Sequence, residues 1–319
     1  MDSRAKQLSW SLLTPASVPG AVAIIQVHGD ASVVFEAISM TPVEIGRVGV
    51  RDVLDVDRAL VACVAPGCVH IMPHGGTAVV RALLHALCDA GINQSISANP
   101  REVFPEAESD IEARTLDTLA RAASLRAVDV LLAQPDRWRT NASAPITTVH
   151  AQSLSRLITP PIVAAVGPAN IGKSTLLNAL AGRQVAIAAD EAGTTRDHVG
   201  VLLDVDGLTI RYIDTPGMRE TDDEIERAAQ ANAIEVARHA AMVLLVADAR
   251  SAFVPWTPAL DQIVLRVGLR SDLGPTFDAA LSTCALTGAG IEPLARTVRG
   301  LLVPDAALAD PRRWRFWHD

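Results

Sequence analysis

The tightest constraint in this sequence is eight residues long. Gly167-Pro-Ala-Asn-Ile-Gly-Lys-Ser174 fits the spacing GxxxxGK[ST], behind a β-rich run at 162–166 (IVAAV) and ahead of a helix-forming run at 174–181 (STLLNALA). A strand that enters a helix through such a loop turns successive backbone N–H groups inward, and the helix N-terminus adds partial positive charge at the same point. The glycines let the backbone wrap a phosphate chain. A lysine at the seventh place reaches the β- and γ-phosphates of a nucleotide, and the hydroxyl that follows ligates Mg²⁺. Composition sharpens the reading: of 28 basic residues 26 are arginine and two are lysine, Lys6 and Lys173. The single interior lysine is the one in the phosphate loop.

The surrounding pattern is that of an α/β fold. Residues 199–204 and 208–214 flank Asp206-Gly207, a two-residue hairpin signal. Residues 222–239 are helical in composition, 241–247, 262–267 and 280–285 read as strands, and 291–302 as a last helix. Strands alternating with helices predict a doubly wound, mainly parallel sheet with helices on both faces. Asp214-Thr-Pro-Gly217 ends the hairpin's second strand, where a carboxylate can hold Mg²⁺ through water and the Gly217 N–H can sense a γ-phosphate. Between the two motifs lies Gly193-Thr-Thr-Arg-Asp197, and a threonine there can complete the Mg²⁺ shell and close over the γ-phosphate as a switch.

The base is read further on. Guanine recognition takes NKxD after the next strand, and here the register gives Leu269-Arg-Ser-Asp272. Asp272 can accept both guanine N1–H and N2–H₂, the contact that excludes adenine. The asparagine's hydrogen bond is lost, and Arg270 can cover the base with its stem and planar head. Cys284-Ala285-Leu286 falls where backbone N–H groups meet the base oxygen. GTP or GDP is therefore the expected ligand, lined by Gly167, Asn170, Ile171, Gly172, Lys173, Ser174 and Thr175 of the loop, with Thr194, Thr195, Asp214, Gly217, Asp272 and Ala285.

The remaining chain divides by pattern. Residues 1–105 read as a small α/β domain, with strands at 21–27 and 59–64 and a helix at 77–90 stopped by Gly91. Residues 106–157 read as a helical connector of one or two helices at 107–134, followed by a polar, turn-rich linker at 134–145. The nucleotide domain spans 158–303, and 304–319 is a tail carrying Arg312, Trp314, Arg315 and Trp317. Aromatics are only 3% of the chain, so the cores are built from Ala, Val, Leu and Ile. A net charge of −8 argues against coating nucleic acid by bulk charge, while leaving a local basic patch open. The four cysteines show no paired or zinc-type spacing, no apolar run reaches membrane-spanning length, and the expected setting is cytoplasmic.

These motifs together resemble the TrmE (MnmE) family of translation-associated GTPases, through nearly all of 186–226 (AIAADEAGTTRDHVG…LTIRYIDTPGMRETDDEIE). The resemblance extends more faintly to LLTP…PGAVAIIQVHGD and to HIMPHGG at 70–76. It implies hydrolysis of GTP to GDP and phosphate, by in-line attack of water. Lys173, Glu226 and Thr195 would be the catalytic set, with Glu226 orienting the water. Ser174 and Thr195 match the Mg²⁺ ligands, with Asp214 acting through water. Asn170 and Thr194, with carbonyls near Ala189 and Glu191, match a K⁺ site, and Arg219 a switch arginine. Asn170 as a simple brace of the loop is the other reading. Homodimerisation through the G domains and the N-terminal domain, and a relation to tRNA or a tRNA-modifying partner, also follow from the resemblance.

Departures accompany it. The helical stretch before the G domain is short, and no cysteine follows Cys284. The N-terminal arginine that would meet a folate carboxylate is missing from 14–21, and Gly67-Cys-Val-His70 stands in place of an acidic segment. Folate binding and tRNA chemistry are therefore weaker expectations than GTP hydrolysis. The alternative is a GTP-gated regulatory module that acts on a partner without modification chemistry of its own.

Overall fold

The computed structural model describes residues 8–14, 20–95, 99–140, 144–182, 200–216 and 224–317. They form two compact units that divide between Ala120 and Arg121. Among the described residues no helix is long and apolar enough to cross a membrane.

The first unit is a six-stranded sheet, order β3-β4-β5-β2-β1-β6. Its elements are β1 (Ser9–Leu12), β2 (Ile25–His28), α1 (Ala31–Ala37), β3 (Val48–Val53), β4 (Asp57–Ala65), β5 (Cys68–Met72), α2 (Thr77–Asp89), β6 (Asn93–Gln94), α3 (Pro100–Val103) and α4 (Asp110–Arg121). Strands β2 and β4 and helices α2 and α4 correspond to elements expected from sequence, α4 within the helical stretch 107–134. Strand β2 is shorter than the expected 21–27, and β4 is longer than the expected 59–64. Strand β3 carries a weak signal because it lies at the sheet edge with alternate residues exposed. Its hairpin to β4 turns through Leu54 and Asp55, both at positive φ (52° and 56°), without the glycine that marks such turns. The core gathers Ile25, Val27, Val61, Val69, Ile71, Leu83 and Leu87.

The second unit begins with α5 (Ala127–Leu132), α6 (Gln134–Thr140) and α7 (Thr148–Ile158). It continues with β7 (Ile162–Val166), α8 (Lys173–Ala181), β8 (Val201–Val205), β9 (Leu208–Asp214), α9 (Glu224–His239), β10 (Met242–Ala247), β11 (Ile263–Gly268), β12 (Leu281–Ser282), α10 (Ile291–Leu302) and α11 (Asp305–Leu308). Its sheet runs β12-β11-β10-β7-β9-β8, parallel except for the β8–β9 hairpin. The Asp206-Gly207 turn forms as the sequence predicts, with φ of 55° and 80° and Gly207 N–H donating to Asp204 Oδ1 at 2.8 Å.

One expectation is revised here. Residues 134–140, read as linker, are helical: tertiary contacts override the local polarity. Gln134 is buried, and its side chain accepts from the Trp314 N–H at 2.8 Å and donates to Val130 O at 3.0 Å. Within the stretch read as a tail, residues 304–317 pack against α6. Trp314 is buried, Trp138 Nε1 donates to Trp314 O at 3.2 Å, and residues 145 and 313 pair as an isolated bridge. Of the stretch 106–157, residues to Ala120 lie in the first unit and those from Arg121 in the second.

Candidate functional site

The carboxyl ends of parallel strands converge on one edge of the second unit, which is where an open α/β sheet places its ligands. Strand β7 ends in Val166 and delivers Gly167. A Cβ on Gly167 would stand 2.3 Å from Val246 O, so only glycine lets the loop turn against β10. Gly172 caps α8 at φ 100°, and Asn170 takes φ 60°, a left-handed value that asparagine tolerates. The loop then enters α8 at Lys173, with Ser174 and Thr175 in its first turn.

Lys173 is buried and donates to Gly167 O at 3.2 Å and Pro168 O at 2.7 Å, leaving one of its three donors for a ligand. Burial lowers its pKa, and the Asp214 carboxylate opposes that shift. Across the cleft, Ser174 Oγ donates to Asp214 Oδ2 at 2.5 Å, joining residues 40 apart in sequence. Asp214 Oδ1 is buried and has no hydrogen-bond partner. A hydroxyl and a half-satisfied carboxylate side by side are hard oxygen donors of the kind Mg²⁺ takes, directly or through water. Beside them Thr215 Oγ1 donates to Ala165 O at 2.6 Å and fixes the chain leaving β9.

A cleft of about 690 Å³ lies over these groups, lined by Ala169, Asn170, Gly172, Lys173, Ser174, Thr175, Asp214, Thr215, Pro216 and Arg270. A second, more enclosed pocket of about 210 Å³ is lined by Ile171, Gly172, Thr175, Leu176, Leu269, Arg270, Asp272, Thr283, Cys284, Ala285 and Leu286. Gly172, Thr175 and Arg270 line both, so the two compartments adjoin. The polar one suits phosphates and the narrower one a base.

Arg270 is the wall between them. Its backbone sits at φ 52°, its Nη2 donates to Asn170 O at 2.5 Å, and its Nη1 lies 3.4 Å from Asp248 Oδ2. Burial pushes the Asp248 carboxyl up. Hydrogen bonds from Ser251 and the Arg250 N–H, with the Arg270 charge, outweigh that and hold it below its ordinary value. Leu269, in the asparagine position, is buried. Asp272 is the middle residue of the short 3₁₀ turn Ser271–Leu273, and its Oδ1 accepts from Cys284 Sγ at 3.2 Å. The sequence reading did not single out Asp248. Its signal was an acidic residue directly after an apolar strand run, at a carboxyl end.

The structure thus brings Gly167, Asn170, Gly172, Lys173, Ser174, Thr175 and Asp214 together, and places Ile171, Asp272 and Ala285 in the adjoining pocket. Thr194, Thr195, Gly217 and Arg219, with Ala189 and Glu191, lie outside the described residues. Glu226 belongs to α9, but its side chain lies outside them too.

The model of the family described as 50S ribosome-binding GTPase matches residues 162–270. A tRNA modification GTPase MnmE of Acidiphilium cryptum is 44% identical over 138 residues, 43% of this chain and 32% of that protein. An MnmE of Thermus thermophilus is 34% identical over 234 residues, 70% of this chain and 53% of its own length. Among solved structures, Era of Aquifex aeolicus bound to GDP·AlF4⁻ is 28% identical over 44% of this chain and 56% of its own, with a TM-score of 0.35. The chain spans about a third to a half of the length of these curated relatives. Over residues 162–270 it carries a P-loop GTPase domain, and its sequence resembles the MnmE tRNA modification GTPases.

Proposed function

We propose that the chain binds GTP and hydrolyses it to GDP and phosphate. The observation that carries this reading is the meeting of Lys173, Ser174 and Asp214 in one cleft, beside a base-sized pocket containing Asp272. Lys173 offsets the β,γ-phosphate charge, and the loop N–H groups fix the phosphates for in-line attack by water. Asp272 accepts from the guanine edge while Cys284 holds its other side. Ser174 and Thr195, with Asp214 through water, would hold Mg²⁺, which supplies further charge neutralisation. Asn170 and Thr194 would hold K⁺, and Glu226 would orient the water. These last roles rest on the resemblance.

The domain that does this is 158–303, preceded by 1–105 and a connector at 106–157 and followed by 304–319. From the relatives, named as tRNA modification GTPases, we carry over the GTPase half. Mass spectrometry of wobble nucleosides from a deletion strain tests the other half. For GTP itself, phosphate release in matched KCl and NaCl is the measurement. Turnover several-fold higher in KCl, reduced by Asn170→Ala, is expected, with dimerisation in GDP–aluminium fluoride. Equal rates in both salts, unchanged by Asn170→Ala, would refute the K⁺ site. No turnover in either salt would refute hydrolysis.

A further inference from the structure

A purine is identified by the hydrogen-bonding atoms on its edges. Guanine carries donors at N1 and N2 and acceptors at O6 and N7. An acceptor is read only where the protein turns a donor to it. The described residues around the base-sized pocket include Thr175, Leu269, Arg270, Asp272, Thr283 and Cys284, and nearly every donor among them is already engaged.

Thr283 Oγ1 donates to Gly268 O at 3.4 Å, and Cys284 Sγ to Asp272 Oδ1 at 3.2 Å. The Thr283 and Cys284 N–H groups donate to Gly268 O at 2.7 Å and Ala289 O at 2.9 Å. Arg270 turns Nη2 to Asn170 O and Nη1 to Asp248. Thr175 also lines the phosphate cleft, so it stands at the junction with the phosphates. The N–H groups of Ala285 and Leu286 are left for the base oxygen, whose two lone pairs accept both. The Asp272 carboxylate is left for N1–H and N2–H₂. Where NKxD would place an amide, Leu269 is buried at 3% exposure, and its N–H donates to Ala247 O at 2.7 Å. With Ile171 and Leu176, both buried, it makes a hydrocarbon wall. No donor on that wall is available to N7.

We propose that the base site does not read position 7 of the ring. It selects guanine nucleotides by N1–H, N2–H₂ and O6, and it accepts 7-deazaguanine nucleotides, which carry C–H in place of N7, as readily as GTP and GDP. Leu269 is the residue that sets this breadth. The inference rests on the guanine-nucleotide reading of the cleft and extends it to the class of bases admitted. Against hydrocarbon, N7 loses water and gains no partner, whereas a C–H group meets the same wall without that loss.

Calorimetric titration of the full chain with GDP, 7-deaza-GDP and inosine diphosphate tests the proposal. The affinity for 7-deaza-GDP should equal or exceed that for GDP. Inosine diphosphate lacks the 2-amino group that Asp272 accepts from, and should bind at least about threefold more weakly than GDP. Leu269→Asn adds an amide to the wall and should make GDP bind about 2- to 12-fold more tightly than 7-deaza-GDP. The wild-type comparison decides by itself whether position 7 is read, so the test does not depend on that variant folding. Binding of 7-deaza-GDP at least about threefold weaker than GDP to the wild type would overturn the proposal while leaving the guanine-nucleotide site standing. So would inosine diphosphate bound as tightly as GDP, or an unchanged ratio of GDP to 7-deaza-GDP in folded Leu269→Asn. Failure of all three ligands to bind would overturn the nucleotide reading of the cleft, and this inference with it.

Discussion

Replacing Arg270 by alanine isolates what joins the two halves of the nucleotide site. The guanidinium donates to Asn170 O at 2.5 Å and pairs with Asp248 at 3.4 Å. A hydrogen bond from a charged donor contributes about 1.5–3 kcal/mol when buried. The Arg270 side chain is 43% exposed, so water replaces part of this, and about 1–1.5 kcal/mol is the better figure. The ion pair adds about 0.2–1 kcal/mol, since Asp248 keeps its bonds from Ser251 Oγ and the Arg250 N–H. The sum, about 2 kcal/mol, predicts a fall of about 4–8 °C in the melting point of a unit this size. The loop and base turn would then have to be re-ordered by the ligand, so the binding loss is bounded by the same energy, about 30-fold. Calorimetric titration with GDP should show a loss of about 3- to 30-fold. Arg270→Lys, which reaches one acceptor at a time, should fall between. Affinity and melting point both unchanged in Arg270→Ala would refute the bracing argument.

Three further outcomes follow from the same geometry. Lys173→Ala should abolish GDP binding by calorimetry, because it removes the fixed cation at the phosphates; affinity within about threefold of wild type would show that the loop is not used this way. Asp272→Asn exchanges an acceptor for a donor and should turn preference from GTP toward xanthosine triphosphate in competition binding, and an unchanged preference would remove Asp272 from the base pocket. Hydrogen bonds from Arg312 hold the buried Asp310 carboxyl well below its usual range, against burial and with help from His150. A depressed carboxylate contributes stability above its unfolded pKa and loses it as pH falls through the folded value. Asp310→Asn should therefore lower the melting point at neutral pH, with the gap to wild type narrowing below about pH 4.

The legible parts of this molecule are those where a local rule and the tertiary fold agree. The phosphate loop reads directly because steric need at Gly167 and Gly172 is written in the residue type. The β8–β9 hairpin reads because Asp206-Gly207 supplies two positive φ values. The degenerate base motif was legible as a register but not as a geometry: nothing local indicates that Arg270 turns back to the Asn170 carbonyl, since that contact spans 100 residues. Helix α6 was hidden because Gln134 and Trp138 are satisfied by residues near 314, at the far end of the chain. The crossovers after β10 and β11, through 248–262 and 269–280, were hidden in the opposite sense. The expectation of a doubly wound sheet supplies helices there, and only the structure shows that the segments carry none beyond the 3₁₀ turn Ser271–Leu273.

Strand β9 links these observations, because it is pinned at both ends. At its carboxyl end Asp214 is held by Ser174. At its start the turn residue Asp206 is held by two arginines: Arg126 Nη2 at 3.0 Å and Arg299 Nε at 2.8 Å both reach Oδ2. Burial pushes the Asp206 carboxyl up, and the Arg299 hydrogen bond and the two positive charges more than reverse it. Thr209 adds bonds to the Ser124 hydroxyl at 3.0 Å and the Ala123 carbonyl at 2.7 Å. The segment 123–126 and helix α10 therefore grip the hairpin from outside the nucleotide cleft. Breaking a buried pair by removing one partner strands the other charge, at about 3–5 kcal/mol where burial is complete. Arg299, only 10% exposed, is the member for which that cost is highest. The position of Asp214 is thus set by the fold before any ligand arrives. A carboxylate held that way meets a phosphate-bound cation without first paying to be ordered, which is the condition for preorganised electrostatic stabilisation.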